Sequence, residues 1–185
     1  MKVKPALKRG HVMVDLDSKD EKLLSSGNPS AKPGFELKRI LVPIDFSDCS
    51  KKALQYAIPF ARQFGAELIL LHVVQVNYYA GDFGTVDVAL LEGEMRKNGQ
   101  RQLDSLATEM ASRDLSFKTE VRTGRTTSEI VNLANETNTD LIILATHGHT
   151  GLKHVLLGSV AENVVRHAPC PVLIVREVEH DFVPA

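Results

Sequence analysis

The stretch from Glu67 to Val74 constrains the fold of this chain more than any other part of its sequence. It reads Glu-Leu-Ile-Leu-Leu-His-Val-Val, with apolar side chains at both odd and even positions. A strand exposed on one face alternates apolar with polar residues, whereas a strand of a parallel sheet is covered on both faces and reads as a continuous apolar run. We therefore expect a buried parallel strand, which requires helices on both sides of its sheet.

Other apolar runs alternate along the chain with segments of helical periodicity. Further strands are predicted from apolar runs at residues 39–44, 141–144 and 171–175, and a more exposed strand from the alternating pattern of residues 115–123. Helices are predicted at 51–64, about 88–113, 128–136 and 159–167, with Gly65 ending the first of them. Such alternation indicates βαβ units with right-handed crossovers. The predicted fold class is α/β, an open flavodoxin-like or Rossmann-like sheet of five parallel strands with helices on both faces. A ligand would bind beyond the carboxyl ends of the strands, at the switch point of the strand order.

The first 36 residues differ from the rest of the chain. They are rich in Lys, Asp and Ser, and they close with the turn-forming stretches Ser25–Pro29 and Lys32–Gly34. We expect three parts: a flexible or loosely docked extension over 1–36, the α/β domain over 37–178 and a tail over 179–185.

Composition narrows the possible partners and the compartment. A net charge of -1 argues against a general electrostatic interaction with nucleic acid or with anionic membranes. No stretch has the length and apolarity of a signal peptide or a membrane span. The two cysteines, Cys49 and Cys170, are too few for a disulfide scaffold. We expect a cytoplasmic protein.

The candidate site begins where the strand ending at Leu144 gives way to Ala-Thr-His-Gly-His-Thr-Gly-Leu-Lys-His-Val-Leu-Leu-Gly-Ser, residues 145–159. Two interpretations stay open: a phosphate-binding loop, or a long turn leading into a capped helix. Ser159 and Glu162 have capping-box spacing, so the helix would direct free amides towards the loop. The sequence contains no GxxxxGK[ST] loop, and no GxGxxG follows its first strand, which excludes a P-loop ATPase and argues against a dehydrogenase.

Asp45 follows the first strand of the regular region and would lie at the same edge of the sheet. It either contacts a ligand or only shapes the turn, with Ser47 or Asp48 as the helix cap. Pro43 cannot donate to the strand ladder, and we expect it to mark the end of strand pairing.

The histidines of the loop raise the question of a metal site. His147, His149 and His154 lack a further ligand of plausible spacing, and we predict no protein-bound metal. Lys153 fits a phosphate contact and a solvated turn equally well. The loop Asn77–Gly84 is read either as a lid or as an ordinary crossover loop.

The loop resembles the carboxyl-terminal signature of the universal stress protein family, which is Gly, two residues, Gly, nine residues, then Gly followed by Ser or Thr. Here Gly148 matches the second glycine and Gly158–Ser159 the end, while Ala145 replaces the first glycine. The resemblance extends from about Lys38 to Arg176. It includes the segments Ile40–Asp45, Leu70–Val73 and His167–Val175.

The resemblance implies a five-stranded α/β fold that binds ATP, AMP or another adenine nucleotide, with Mg²⁺ possible alongside it. By position, Asp45 would bind the nucleoside and Val73 would line the adenine pocket. The phosphates would be wrapped by Gly148, His149, Gly158, Ser159 and Val160, with Pro43, Ala145 and His147 completing the site. The resemblance also implies a homodimer formed through the last strand, Val172, Leu173, Ile174 and Val175.

Three functions remain open from the sequence. The first is a stress-response sensor or regulatory module that binds an adenine nucleotide. The second is a nucleotide-free dimer that binds a protein partner, which the Ala145 replacement allows. The third is a slow ATP hydrolase, for which the loop supplies Lys153 and histidines but no evident catalytic carboxylate. No catalytic residue is predicted.

Overall fold

The computed structural model describes residues 2–5, 12–15, 36–75, 88–111, 115–146 and 157–177. The chain forms two compact units, Met1–Glu36 and Leu37–Ala185. In the first unit, strands β1 (Lys2–Pro5) and β2 (Val12–Asp15) pair in antiparallel fashion, with Lys2 opposite Asp15.

The second unit is a parallel α/β sheet, as the apolar runs predicted. Its elements in chain order are β3 (Arg39–Pro43), α1 (Asp48–Phe64), β4 (Glu67–Val74), α2 (Val88–Ala111), β5 (Phe117–Thr123), α3 (Thr126–Glu136), β6 (Leu141–Ala145), α4 (Ser159–His167) and β7 (Val172–Val175). The five strands are all parallel and lie in the order β5-β4-β3-β6-β7. The first strand of the unit is therefore central, which is the Rossmann arrangement.

Both faces of the sheet are buried. On β4, Leu68 and Leu70 pack with α1 and α2, while Ile69 and Leu71 pack with α3 and α4. Each of these four side chains is at most 1% exposed. The continuous apolar run Leu68–Leu71 is thus explained by a helix layer on each side of the strand.

The ends of α1 follow directly from its sequence. Ser47 is the N-cap, and its Oγ accepts a hydrogen bond from the amide of Ser50 at 3.2 Å. Gly65 ends the helix in the left-handed conformation at φ 66°, which favours glycine. Among the described residues, no helix combines the length and the apolarity needed to cross a bilayer.

Candidate functional site

The centre of the sheet opens towards the carboxyl ends of its strands. β3 pairs with β4 along its whole length, but it pairs with β6 only at Ile40–Leu141 and Leu41–Ile142. The last three residues of β6 pair with β7 and not with β3. The two central strands therefore separate before they end, at the switch point where α/β sheets form a ligand crevice.

The start of α4 is held beside this crevice. The amide of Gly158 donates to the carbonyl of Thr146 at 2.9 Å, and the amide of Thr146 donates to the carbonyl of Val175 at 2.9 Å. Thr146 directly follows β6 and is buried. These bonds bring Gly158 and Ser159 to the carboxyl edge of the sheet, next to the end of β6.

The expected capping box at Ser159 is wrong. Gly158 is the N-cap, because its carbonyl accepts the first helical bond from the amide of Glu162 at 2.9 Å. Ser159 is the first helical residue, and its side chain is exposed. A glycine cap has no side chain to accept hydrogen bonds, so the first turn of α4 has no side-chain cap.

The backbone at the two signature positions is ordinary. Gly158 has φ −67° and ψ 154°, which any residue can adopt, so its conformation does not require glycine. Ala145 is the last residue of β6 and pairs with Val175; its φ is not positive. Its half-buried side chain packs on the face covered by α1 and α2. Alanine therefore fits this backbone without strain.

Asp45 shapes the turn after β3, as one of its two interpretations predicted. Its Oδ1 accepts hydrogen bonds from the Ser47 amide at 3.0 Å and from the Ser47 hydroxyl at 2.6 Å. Pro43 is the last residue of β3 paired with β4, opposite Leu71, which confirms the predicted end of pairing. The ligand role of Asp45 stays a prediction.

The apolar candidates Val73 and Val160 lie on the face of the sheet opposite to Ala145. Val73, Leu157 and Val160 are half-buried and pack against the core cluster beneath α3 and α4. Val73 lies near the end of β4 and Val160 in the first turn of α4. The structure thus brings Pro43, Asp45, Val73, Ala145, Gly158, Ser159 and Val160 to the carboxyl ends of β3, β4 and β6.

Other predicted residues lie outside the described part of the chain. These are His147, Gly148, His149, Lys153, His154 and the loop Asn77–Gly84. Within the ranges that the structure does describe, no group of three or more His, Cys, Asp or Glu side chains could hold a metal ion.

Cys49 lies in the first turn of α1, where a helix dipole favours a thiolate. Burial nevertheless raises the pKa of its thiol, and the carboxylates of Glu177, Asp45 and Asp48 raise it further. Burial likewise raises the pKa of Cys170. Both thiols therefore stay protonated at neutral pH, in agreement with a structural role.

Arg125 could not be placed from the sequence, and it lies at the same edge of the sheet. The amide of Gly124, which has φ 151°, donates to the carbonyl of Val74 at 3.0 Å. Arg125 follows as the exposed N-cap of α3, without a side-chain capping bond. Its position next to the end of β4 is set by strand pairing across residues far apart in sequence.

His72 is a residue whose role the sequence did not reveal. Its Nδ1 lies 2.9 Å from the carbonyl oxygen of Ile44, directly before Asp45. The available signal was a histidine inside the apolar run of β4, where a polar side chain needs a hydrogen-bond partner. The sequence does not identify that partner, because it depends on the register in which β3 pairs with β4.

The comparisons with known proteins agree with this architecture. A model described as "Universal stress protein family" matches residues 36–176. Universal stress protein MJ0531 of Methanocaldococcus jannaschii is 36% identical over 140 residues, which are 76% of this chain and 82% of that protein.

Two solved structures have the same fold. The protein MJ0577 of the same organism superposes with a TM-score of 0.69 at 30% identity, covering 79% of this chain and 100% of that one. A universal stress protein solved in complex with cAMP superposes with a TM-score of 0.56 at 26% identity, covering 76% of this chain and 98% of that one.

Proposed function

The chain belongs to the universal stress protein family, and from this we propose that it binds an adenine nucleotide, ATP or AMP, and acts as a sensor or regulatory module in the stress response. The observation that carries the proposal is the Gly158–Thr146 hydrogen bond, which holds the open end of α4 beside the crevice between β3 and β6. The cAMP complex of a relative supports the adenine nucleotide class.

The start of α4 suits the phosphates. The amides of the first turn have no partner within a helix, and they lie at the positive end of the helix dipole. Ser159 adds an exposed hydroxyl, and Gly158 allows a close approach to its backbone. The phosphates would therefore bind the amides of Ser159 and Val160, with His147, Gly148 and His149 wrapping them by their position in the signature.

The ends of β3 and β4 suit the nucleoside. Asp45 would bind nucleoside hydroxyls through its carboxylate, whose Oδ1 is already oriented by Ser47. Val73 offers a half-buried apolar surface to the adenine ring. Pro43 and Ala145, the last residues of β3 and β6, would line the crevice between the two groups. Any Mg²⁺ would be held mainly by phosphate and water.

Calorimetric titration with ATP, ADP, AMP and cyclic AMP, with and without Mg²⁺, tests the proposal. We expect micromolar binding by the wild-type protein and a loss of about 100-fold or more in Gly158→Leu, because the new side chain occupies the space of the phosphates. The variant should fold, since the φ of −67° at Gly158 is open to any residue.

Gly93→Leu is the matched control, because a Cβ at this position of α2 meets nothing within 4 Å. It should bind nucleotide like the wild type. Unchanged affinity in Gly158→Leu would refute the phosphate site. A wild-type protein that binds none of the four nucleotides would instead favour a dimer that recognises a protein partner.

We also propose that the partner in the functional state is a second copy of the chain. β7 lies at the edge of the sheet, and its Val172, Leu173 and Ile174 are only half-buried. An apolar open edge favours association with another strand. Pairing β7 with its counterpart would cover the same surface on both subunits.

A further inference from the structure

His72 holds the residue that precedes Asp45. A carbonyl oxygen can only accept, so Nδ1 of His72 carries the hydrogen in its 2.9 Å bond to Ile44. The amide of Ile44 donates to the carbonyl of Leu71 at 2.7 Å. Two consecutive residues of β4 thus hold both backbone polar groups of Ile44, just beyond the last paired residue of β3.

The imidazole also supports the residue that follows Asp45. The rings of Phe46 and His72 have centroids 4.6 Å apart and are inclined by 41°. Phe46 has φ 67°, a left-handed conformation that is costly for a bulky residue and that persists only where its surroundings hold it. Packing against His72 and the core beneath α1 and α2 supplies that support.

The ring of His72 is confined from the side of α2. A Cβ on Gly99 would lie 2.6 Å from Cδ2 of His72, closer than a Cβ atom comes to a non-bonded carbon in proteins, so the ring would have to move. Gly99 is buried within α2, where glycine lowers helix stability relative to alanine. The glycine therefore provides the space for an imidazole that is fixed between α2, Phe46 and Ile44.

We propose that His72 is the positioning residue of the nucleoside half of the site. Both neighbours of Asp45 are held by one imidazole, by a hydrogen bond on one side and by ring packing on the other. Asp45 is thereby kept at the mouth of the crevice with its carboxylate correctly placed. The role of Asp45 as a nucleoside ligand rests on the proposed function.

The test compares His72→Leu, which removes the donor, with His72→Asn, whose amide nitrogen can replace Nδ1. Chemical-shift titrations use adenosine and pyrophosphate as separate probes. In His72→Leu we expect adenosine to bind about tenfold more weakly, the worth of one lost hydrogen bond, while pyrophosphate binding changes by less than about twofold. His72→Asn should restore adenosine affinity to within about threefold of wild type.

His167→Leu is the matched control. His167 makes the same kind of bond, from Nδ1 to the Asn163 carbonyl at 2.8 Å, but it lies in the last turn of α4. Its loss should leave both affinities unchanged. The proposal is overturned if His72→Leu keeps wild-type adenosine affinity, if both probes weaken in parallel, or if His72→Asn is no better than His72→Leu.

A second readout needs no ligand. The Ser47 amide donates to Asp45 Oδ1, so its hydrogen exchange reports how well the turn is held. Exchange should accelerate in His72→Leu and remain slow in His72→Asn and His167→Leu. Should the wild type bind neither probe, the nucleotide proposal fails, and unchanged Ser47 exchange in His72→Leu would separately overturn the role of His72.

Discussion

At the carboxyl edge of the sheet, two residues contradict the local preferences of their residue types, one in its backbone conformation and one in its position at a helix end. Phe46 has φ 67°, a left-handed conformation that glycine or asparagine adopts at lower energetic cost than phenylalanine. Arg125 occupies the N-cap of α3, where Ser, Thr, Asp or Asn would accept a backbone hydrogen bond. Its positive charge also lies at the positive end of the helix dipole. Residues that break local preferences concentrate at functional sites, and both of these lie near the proposed one.

Replacing Arg125 by Asn should stabilise the protein. The backbone at this position, φ −77° and ψ 118°, suits an N-cap, and an Asn side chain can accept from the first turn of α3. We expect a gain of about 1 kcal/mol, seen as a rise of about 2–4 °C in Tm by calorimetry.

Arg101→Asn is the control for that experiment. Arg101 is an exposed arginine inside α2, where Asn has the lower helix propensity, so its Tm should fall slightly. An Arg125→Asn variant with an unchanged or lower Tm would contradict the idea that arginine at the N-cap of α3 destabilises the protein.

Among the elements, β5 and α3 are joined by an ion-pair network. Arg122 of β5 forms a bidentate pair with Glu136 of α3 and lies 3.7 Å from Glu129 and 3.6 Å from Glu120. The side chain of Arg122 is only 18% exposed, whereas that of Glu136 is 56% exposed, so the network shields the guanidinium more than its main partner. Three carboxylates share this one guanidinium, which distinguishes the network from an isolated surface pair. The network links the edge strand to the helix that follows it in the chain.

The pH dependence of this network has a definite sign. The hydrogen bond from Arg122 lowers the pKa of Glu136 from its ordinary value of 4.5. A carboxylate with a lowered pKa in the folded state contributes stability above its ordinary value, and loses that contribution as the pH falls through the lowered pKa. Glu136→Gln should therefore lower the urea midpoint at pH 7, and its difference from wild type should shrink below about pH 4.5.

Glu162→Gln is the matched variant for that comparison. Glu162 pairs with Arg166 four residues along α4, and both side chains are at least half exposed. Such a pair contributes about 0.3–0.5 kcal/mol, so the urea midpoint should hardly move. A gap between Glu136→Gln and wild type that stays constant down to pH 3 would contradict the network as the source of the effect.

At the scale of the whole molecule, the proposed dimer makes a prediction about β7. The carbonyls of Pro171 and Val175 accept hydrogen bonds from the amides of Ile142 and Thr146. Every second residue of a strand directs its backbone polar groups to the same side. Ile174 is an odd number of residues from both Pro171 and Val175, so its amide and carbonyl point away from β6. Ile174→Pro removes an amide from the open edge and none from the sheet. We expect a folded monomer, measured by sedimentation or light scattering.

Val121→Pro gives the comparison at the opposite edge. Ser116 and Gly124 hydrogen-bond to β4, so Val121, an odd number of residues from each, directs its backbone outwards from β5. This variant should keep the oligomeric state of the wild type. A wild-type protein that is monomeric at micromolar concentration would contradict the proposed dimer.

Local patterns predicted most of the fold because the signals lie within each element. Apolar runs predicted four of the five parallel strands, the alternating pattern of residues 115–123 predicted β5, and Gly65 predicted the end of α1. The capping box at Ser159 failed because Gly158 and Ser159 both suit a cap, and the bond from Gly158 to Thr146 decides between them. His72 and Arg125 were beyond sequence reasoning, since their surroundings depend on which strands become neighbours.

The two edges of the sheet differ in a way that limits how large an assembly can become. β7 is apolar and half-exposed, whereas β5 carries Lys118, Glu120 and Arg122 in an ion-pair ladder. If two copies join through β7, the combined sheet is bounded at both ends by β5, and each end presents charge to an incoming strand. Assembly through strand pairing would then stop at two subunits. The chain could therefore expose an apolar edge strand without forming filaments.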